Sequence, residues 1–357
     1  MPYPFLLSRV LLQFEQGAEQ LLKELSAITM TPDRSLWLGS DEVNTIERLS
    51  AVEPYIFGHH QPFKINDFVD LREPDTEIDV EGLSYDDSYL WFTGSHSPKR
   101  QKVKGKDVQK DIERLAKVGT ELNRAILARI PVIDGKLQKQ CSHPKSEARQ
   151  LTAAQLQSTE DGNVLTDALK DDPHLGMWLK NPIPSKENGL DIEGLAVHGD
   201  HIFLGLRGPV LRGWAVILEI AVKEVEPGVL GLKKIGKHKQ RYQKHFVNLN
   251  GLGVREVCIQ GKDLIILAGP TMALEGAMQV FRLKHALDRS SDTLSSIDSG
   301  DLKLLFDLPF TIGSDHAEGL VLVSCLGYDD ALMVVYDSPD PRRLIKSNAV
   351  FADIFRL

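Results

Sequence analysis

Short apolar stretches recur along the chain, each preceded by a polar start and followed within a few residues by a turn rich in Asp and Gly. Strands of this length, paired through tight turns, predict hairpins and not helices. Five stretches share the plan of polar start, apolar strand, turn, apolar strand and Gly/Ser/Pro-rich loop. They are "LSAITMTPDRSLWLGSDE" (Leu25 to Glu42), "EIDVEGLSYDDSYLWFTGSHS" (Glu77 to Ser97), "GLDIEGLAVHGDHIFLGLRGP" (Gly189 to Pro209), "GVREVCIQGKDLIILAGPT" (Gly253 to Thr271) and a weaker copy from Ser314 to Pro339. The turns "TPDR", "YDDS", "HGDH", "QGKD" and "GYDD" carry the Asp or Gly that a tight hairpin favours.

Further strands follow the pairs, as in "WAVILEIAV" (Trp214 to Val222), "AMQVFRLKH" (Ala277 to His285) and "AILARIPVI" (Ala125 to Ile133). One such sheet cannot bury both of its faces, whereas neighbours stacked around an axis can. The pattern therefore predicts an all-β chain forming a single five-bladed β-propeller over residues 1–357. Equivalent positions are Ser26, Glu81, Glu193, Arg255 and Glu318, and the interval from Glu81 to Glu193 is about twice the others. Residues 136–187 fill it, and "SEARQLTAAQL" and "VLTDALKDDPHLGMWLK" within them predict a helical insertion between blades two and three. A degenerate sixth blade there is the alternative. "SRVLLQFE" (Ser8 to Glu15) has no partner nearby and is expected to complete the last blade beside "VFADIFRL", fastening the two chain ends together.

With 42% hydrophobic and 26% charged residues the composition is that of an ordinary globular chain, and the net charge of -8 argues against affinity for nucleic acid. Three scattered cysteines form neither a disulfide framework nor a zinc motif. The first residues lack a basic leader, and no apolar run is long enough to span a bilayer, so a cytoplasmic chain without a membrane partner is expected. Two basic runs, Pro98 to Lys110 and Lys233 to His245, read as solvated loops or outer strands, and "GHHQPF" (Gly58 to Phe63) as an outer strand or loop.

The stretches "ENGLDIEGLAV", "LGLRGPVLRGWA", "FTGSHSPKR" and "VVYDSP" resemble the signature stretches of the domain of unknown function 3616 family, along nearly the whole chain. More distantly, the D-x-E-G-L openings are similar to those of phytase-like esterase propellers and, in general plan, to calcium-dependent propeller lactonases. The first resemblance implies a fold and no activity. The second implies at most a metal-assisted hydrolase.

The repeated carboxylates pose the chemical question. The first strand of a propeller blade lines the central channel, and residues two apart on it, such as Asp79 with Glu81 or Asp191 with Glu193, share one face. Glu81, Glu193 and Glu318 would then converge and require a cation, an arginine or shared protons. Calcium or magnesium held by the three glutamates is one solution. Arg255 as an internal counter-charge is another, and simple capping of strand starts is a third. The loops after the second strands should emerge at one end of the ring. They bring Asp41, Ser95, Arg100, Arg207, Arg212, Arg255 and Asp337 as candidate ligand-binding groups, with Glu42 and His96 as candidate acid–base residues. Arginines there would clamp a small anionic molecule or pair with the glutamates. No GxSxG elbow occurs, and adjacent Ser95 and His96 on a strand point apart, which argues against a serine hydrolase. Two function classes stay open: a metal-assisted hydrolase of a phosphoester, ester or lactone, and a non-catalytic scaffold for a ligand or protein partner.

Overall fold

A computed structural model describes residues 4–73, 76–309 and 311–357. After the N-terminal strand β1 (Leu6–Gln13), the described ring strands form antiparallel runs in chain order. The first comprises β2 (Leu25–Met30), β3 (Leu36–Ser40), β4 (Thr45–Glu53) and β5 (Ile56–Lys64). The second comprises β6 (Val80–Asp86), β7 (Tyr89–Gly94), β8 (Leu127–Ile133) and the short β9 (Ala154–Leu156). The third is β10 (Asp191–His198), β11 (His201–Gly208), β12 (Trp214–Glu226) and β13 (Gln243–Asn248). The fourth is β14 (Gly253–Gln260), β15 (Asp263–Gly269), β16 (Met278–Leu283) and β17 (Leu302–Leu308). The last has β18 (His316–Cys325), β19 (Tyr328–Asp337) and β20 (Ala349–Arg356), with β1 as its outer strand.

The first strands β2, β6, β10, β14 and β18 pack side by side in that order, and β18 returns to β2, so the sheets close around an axis. This is the architecture of a β-propeller. Closure uses the two chain ends as expected: β1 pairs antiparallel with β20 from Leu6 opposite Phe355 to Gln13 opposite Ala349. Outer edges are also stitched, because β1 pairs in parallel with β5, and the strand Val229–Leu232 bridges β12 and β9. The buried apolar side chains lie between neighbouring sheets, for example Ile217, Val254, Ile266 and Phe281 between the third and fourth runs. No described helix is long and apolar enough to cross a membrane.

Two sequence expectations need correction. In residues 136–187 the stretch "SEARQLT" is not helical: Ser146–Thr152 forms a hairpin with Gln140–His143, and Ala154–Leu156 supplies the outer strand β9. Hairpin and sheet pairing, with Leu151 and Leu156 buried beneath, override the helix propensity of Glu, Ala and Gln. The second half does contain the helices Val164–Leu169, capped by Asn163, and Gly176–Lys180. The basic run after Pro98 also holds a helix, αB (Val108–Leu115), started by the Asp107 carboxylate accepting from the Lys110 N–H at 3.2 Å.

Candidate functional site

The five positions equated in sequence share one structural device. In every first strand the pairing register skips a residue: Ser26, Glu81, Glu193, Arg255 and Glu318 each have no opposite partner. Each skip is a β-bulge, which bends the strand and re-aims the extra side chain. Four charged side chains are thereby directed at one end of the axial channel, with Ser26 donating to the Val80 carbonyl of the next sheet. The glycine after the glutamate has its own cause. A Cβ on Gly82 would lie 2.7 Å from the Leu195 Cβ, and one on Gly194 would lie 3.1 Å from the Val257 N. Neighbouring first strands approach too closely there for a side chain.

Arginines bind most of the carboxylates. Arg207, itself skipped in the β11 register, reaches Asp191 at 2.5 Å and Glu193 at 2.6 Å. Arg255 lies 3.0 Å from Glu193 and bonds Glu318 with its other arm. Arg124 pairs with Asp79 and donates to Ser95 Oγ at 3.0 Å and Ser97 Oγ at 3.2 Å. Arg343 bridges Asp315 and Asp353, at 2.7 Å each. Burial nevertheless dominates the titration of the acids. It holds Glu193 up to about 7, although Arg207 and Arg255 pull it down, and keeps Glu318 well above the ordinary range despite Arg255.

Glu81 and Asp41 are among the acids here without an arginine partner. Burial, then the charges of Asp79, Glu193, Asp191 and Glu318, hold Glu81 well above the usual carboxylate range. Asp41 is raised to about 7 by burial and by Asp79, Asp337, Glu42 and Glu24, and its Oδ1 is buried without a hydrogen-bond partner. Beside this network opens a cavity of about 340 Å³ lined by Arg207, Arg255, Asp315, His316, Glu318 and Asp337, with exposed Lys186 at its wall and Met272 and Leu274 at its lip. His316 stands 3.7 Å from Asp337 and 3.4 Å from Glu275.

The remaining candidate residues divide. Glu42 lies in the acidic group around Asp41, 4.0 Å from the exposed Lys102. His96 is a buried structural group. Its Nδ1 faces the Gly94 carbonyl at 2.8 Å, its Nε2 accepts from the Asn163 amide at 2.8 Å, and burial lowers it to about 4. With both ring nitrogens engaged it is available neither as a base nor as a metal ligand. Ser95 is buried under Arg124. Arg100 is spent on Glu187, with a 2.8 Å bond from Nη2, and on the Leu115 carbonyl. Arg212 is exposed in the turn between Leu211 and Trp214, away from the network of ion pairs. Reasoning from the sequence missed Arg124, Arg343 and Lys186. For Arg124 a signal existed in Ser95 and Ser97, spaced to present two hydroxyls to one guanidinium.

The fit of a divalent cation follows from the donor set. Oxygens of Glu193 and Glu318 are taken by Arg255, and among the described residues no group of three His, Cys, Asp or Glu side chains is arranged to hold a metal ion. The three-glutamate calcium or magnesium site does not fit this arrangement.

Comparison with known proteins places most of the chain. Residues 24–353 match the model of the DUF3616 family, described as a protein of unknown function. The chain belongs to that family. No curated protein matches it. Among solved structures, virginiamycin B lyase from Staphylococcus aureus is 11% identical over 98% of this chain and 99% of that one, with a TM-score of 0.40. The PQQ-bound aldose sugar dehydrogenase from Streptomyces coelicolor is 10% identical over 98% and 99%, at 0.39. The WD40 β-propeller domain of Doa1 is 10% identical over 100% and 98%, at 0.34. Likenesses this distant carry no argument about the chemistry of this DUF3616 member.

Proposed function

We propose that this chain is a five-bladed propeller that binds a small organic cation, such as an amine, at the carboxylate-rich end of its axis. One observation carries the proposal: carboxylates outnumber cations there. Asp41 and Glu81 have no basic side chain within ion-pair distance among the described residues, and both are held up by burial and then by neighbouring negative charge. A carboxylate kept protonated by its surroundings is one for which a positive ligand would be exchanged for the proton. An anion is served less well, since Arg100, Arg207 and Arg255 are already bound to carboxylates. The cavity is of a size suited to a small molecule, and its lip offers an apolar surface to the ligand's body.

A second proposal is catalytic: hydrolysis of an ester, lactone or phosphoester by carboxyl groups alone. It is favoured by Asp41 and Glu193, both held at about 7, where a carboxyl gives or takes a proton readily at neutral pH.

Titration calorimetry of the full chain against primary and quaternary amines, simple carboxylates and phosphate tests the binding. Amines should bind with proton release, seen as a dependence on buffer ionisation, and Asp41→Asn and Glu81→Gln should abolish it. Binding of the anions with amines silent would overturn the cation assignment. Turnover of generic esters or phosphoesters that is lost in Asp41→Asn would establish the catalytic one.

A further inference from the structure

The αB helix presents its apolar stripe to solvent. Val108, Ile112 and Leu115 fall at spacings of four and three, hence on one helix face, and are 78%, 57% and 50% exposed. The only buried side chain on the helix is a polar one, Asp111. Its carboxylate accepts from the backbone N–H of Lys104 at 3.0 Å and of Gly105 at 2.9 Å and pairs with Arg114 at 2.5 Å. The helix is therefore held by capping and charge, and its apolar face takes no part. A surface helix ordinarily buries that stripe, and one that displays it has a surface to meet.

Charge identifies the surface. Residues 99–118 hold eight Lys or Arg against three Asp or Glu, in a chain whose net charge is -8. Lys104, Lys106 and Lys117 are exposed, and among the described residues no carboxylate lies within ion-pair distance of them. An apolar stripe ringed by lysines is the pattern of a helix lying in a lipid–water interface with anionic headgroups. Its place in the ring agrees. The segment 95–126 joins the second and third strands of its sheet, as the loop 270–277 does in the fourth run, so both leave the ring at the cavity end. Exposed Met272 and Leu274 on that loop stand at the cavity lip.

We propose that αB docks the cavity end of the propeller on an anionic lipid surface, as a peripheral anchor. This replaces the expectation from sequence of no membrane partner, which took the basic run for a solvated loop.

Co-sedimentation of the full chain with vesicles of phosphatidylcholine, alone or mixed with phosphatidylglycerol, tests it. The chain should pellet only with the mixed vesicles, and less as salt rises. Ile112→Glu should weaken partitioning roughly tenfold or more with an unchanged melting temperature, since the side chain is exposed. Lys104→Glu with Lys106→Glu should do the same while leaving the stripe intact. Three outcomes would overturn the proposal: wild-type protein remaining in the supernatant, Ile112→Glu pelleting like wild type, or vesicles ignored while an acidic polypeptide binds the helix.

Discussion

Replacing Arg255 by methionine removes the cation shared by Glu193 and Glu318 while keeping most of its volume. Its effect should depend strongly on pH. Glu193 titrates at about 7 in the fold against an ordinary 4.5, and Glu318 is also raised. A carboxyl raised by folding contributes stability that is complete below its unfolded value and is lost as pH rises through its folded value. For Glu193 the displacement corresponds to about 3 kcal/mol, lost between pH 4.5 and about 7. Without Arg255 both acids rise further.

At pH 5 Glu193 is held mostly protonated with or without the arginine and burial favours the neutral form of Glu318, so the substitution should cost mainly hydrogen bonds and packing, about 1 kcal/mol. At pH 8 the chain must either ionise Glu318 with no arginine and Glu193 with Arg207 alone, or hold their protons against the solvent. The loss of one partner from a buried ion pair then costs about 3–5 kcal/mol. For a chain of 357 residues this is a fall in melting temperature of about 4–7 °C at pH 8 and about 1 °C at pH 5. Thermal unfolding followed by circular dichroism at the two pH values measures both. Equal losses at pH 5 and pH 8 would show that Arg255 acts by packing and that the glutamates do not depend on it for charge.

Removing residues 4–13 should leave β20 as an open edge and give a chain that unfolds at lower temperature or self-associates, seen by size-exclusion chromatography. Gly82→Ala should cost roughly 1–3 kcal/mol by urea unfolding, because its Cβ would overlap Leu195 and crowd the Glu193 carbonyl. His96, lowered to about 4, stabilises the fold above pH 6.5 and loses about 3 kcal/mol as pH falls through 4; His96→Gln should be less stable than wild type at pH 7.5 and lose that disadvantage near pH 4. Glu256→Gln should be at least as stable as wild type at pH 8, since burial favours the neutral side chain and the amide oxygen can still accept from the Leu195 and Val257 N–H groups.

The ring was legible because its period is written twice, in apolar pairs and in the charged residue that opens each pair. Closure through β1 followed from an apolar strand with no neighbour to join. The central site was half legible. Sequence placed Glu81, Glu193, Arg255 and Glu318 as equivalents, and the structure makes each of them a bulge residue. The bulge itself carries no signature separable from the motif, because the glycine that follows serves packing between sheets. His96 was misjudged because its partner Asn163 lies far along the chain, in the segment read as a helical insertion or a degenerate blade. The strands within 136–187 were misjudged for the same kind of reason: pairing partners, not local propensity, decide them.

The departure of the fourth repeat from the others explains how the site tolerates its own charge. Where three repeats read Glu-Gly, the fourth reads Arg255-Glu256. Arginine at the bulge puts a cation between two of the glutamates, and Glu256 takes the place of the close-packed glycine by satisfying two backbone N–H groups with one oxygen. With Arg255 between β10 and β18, and Arg124 serving Asp79 from the second run, compensation is uneven around the axis. Glu81 and the Asp41 side of the ring remain without it. A ring selected only for stability would gain by neutralising these last carboxyls, for instance with glutamine, since each uncompensated buried acid costs folding free energy above its unfolded pKa. Asp337, which raises Asp41, and Glu318, which raises Glu81, line the neighbouring cavity, and the proposed cation site rests on that surplus of negative charge.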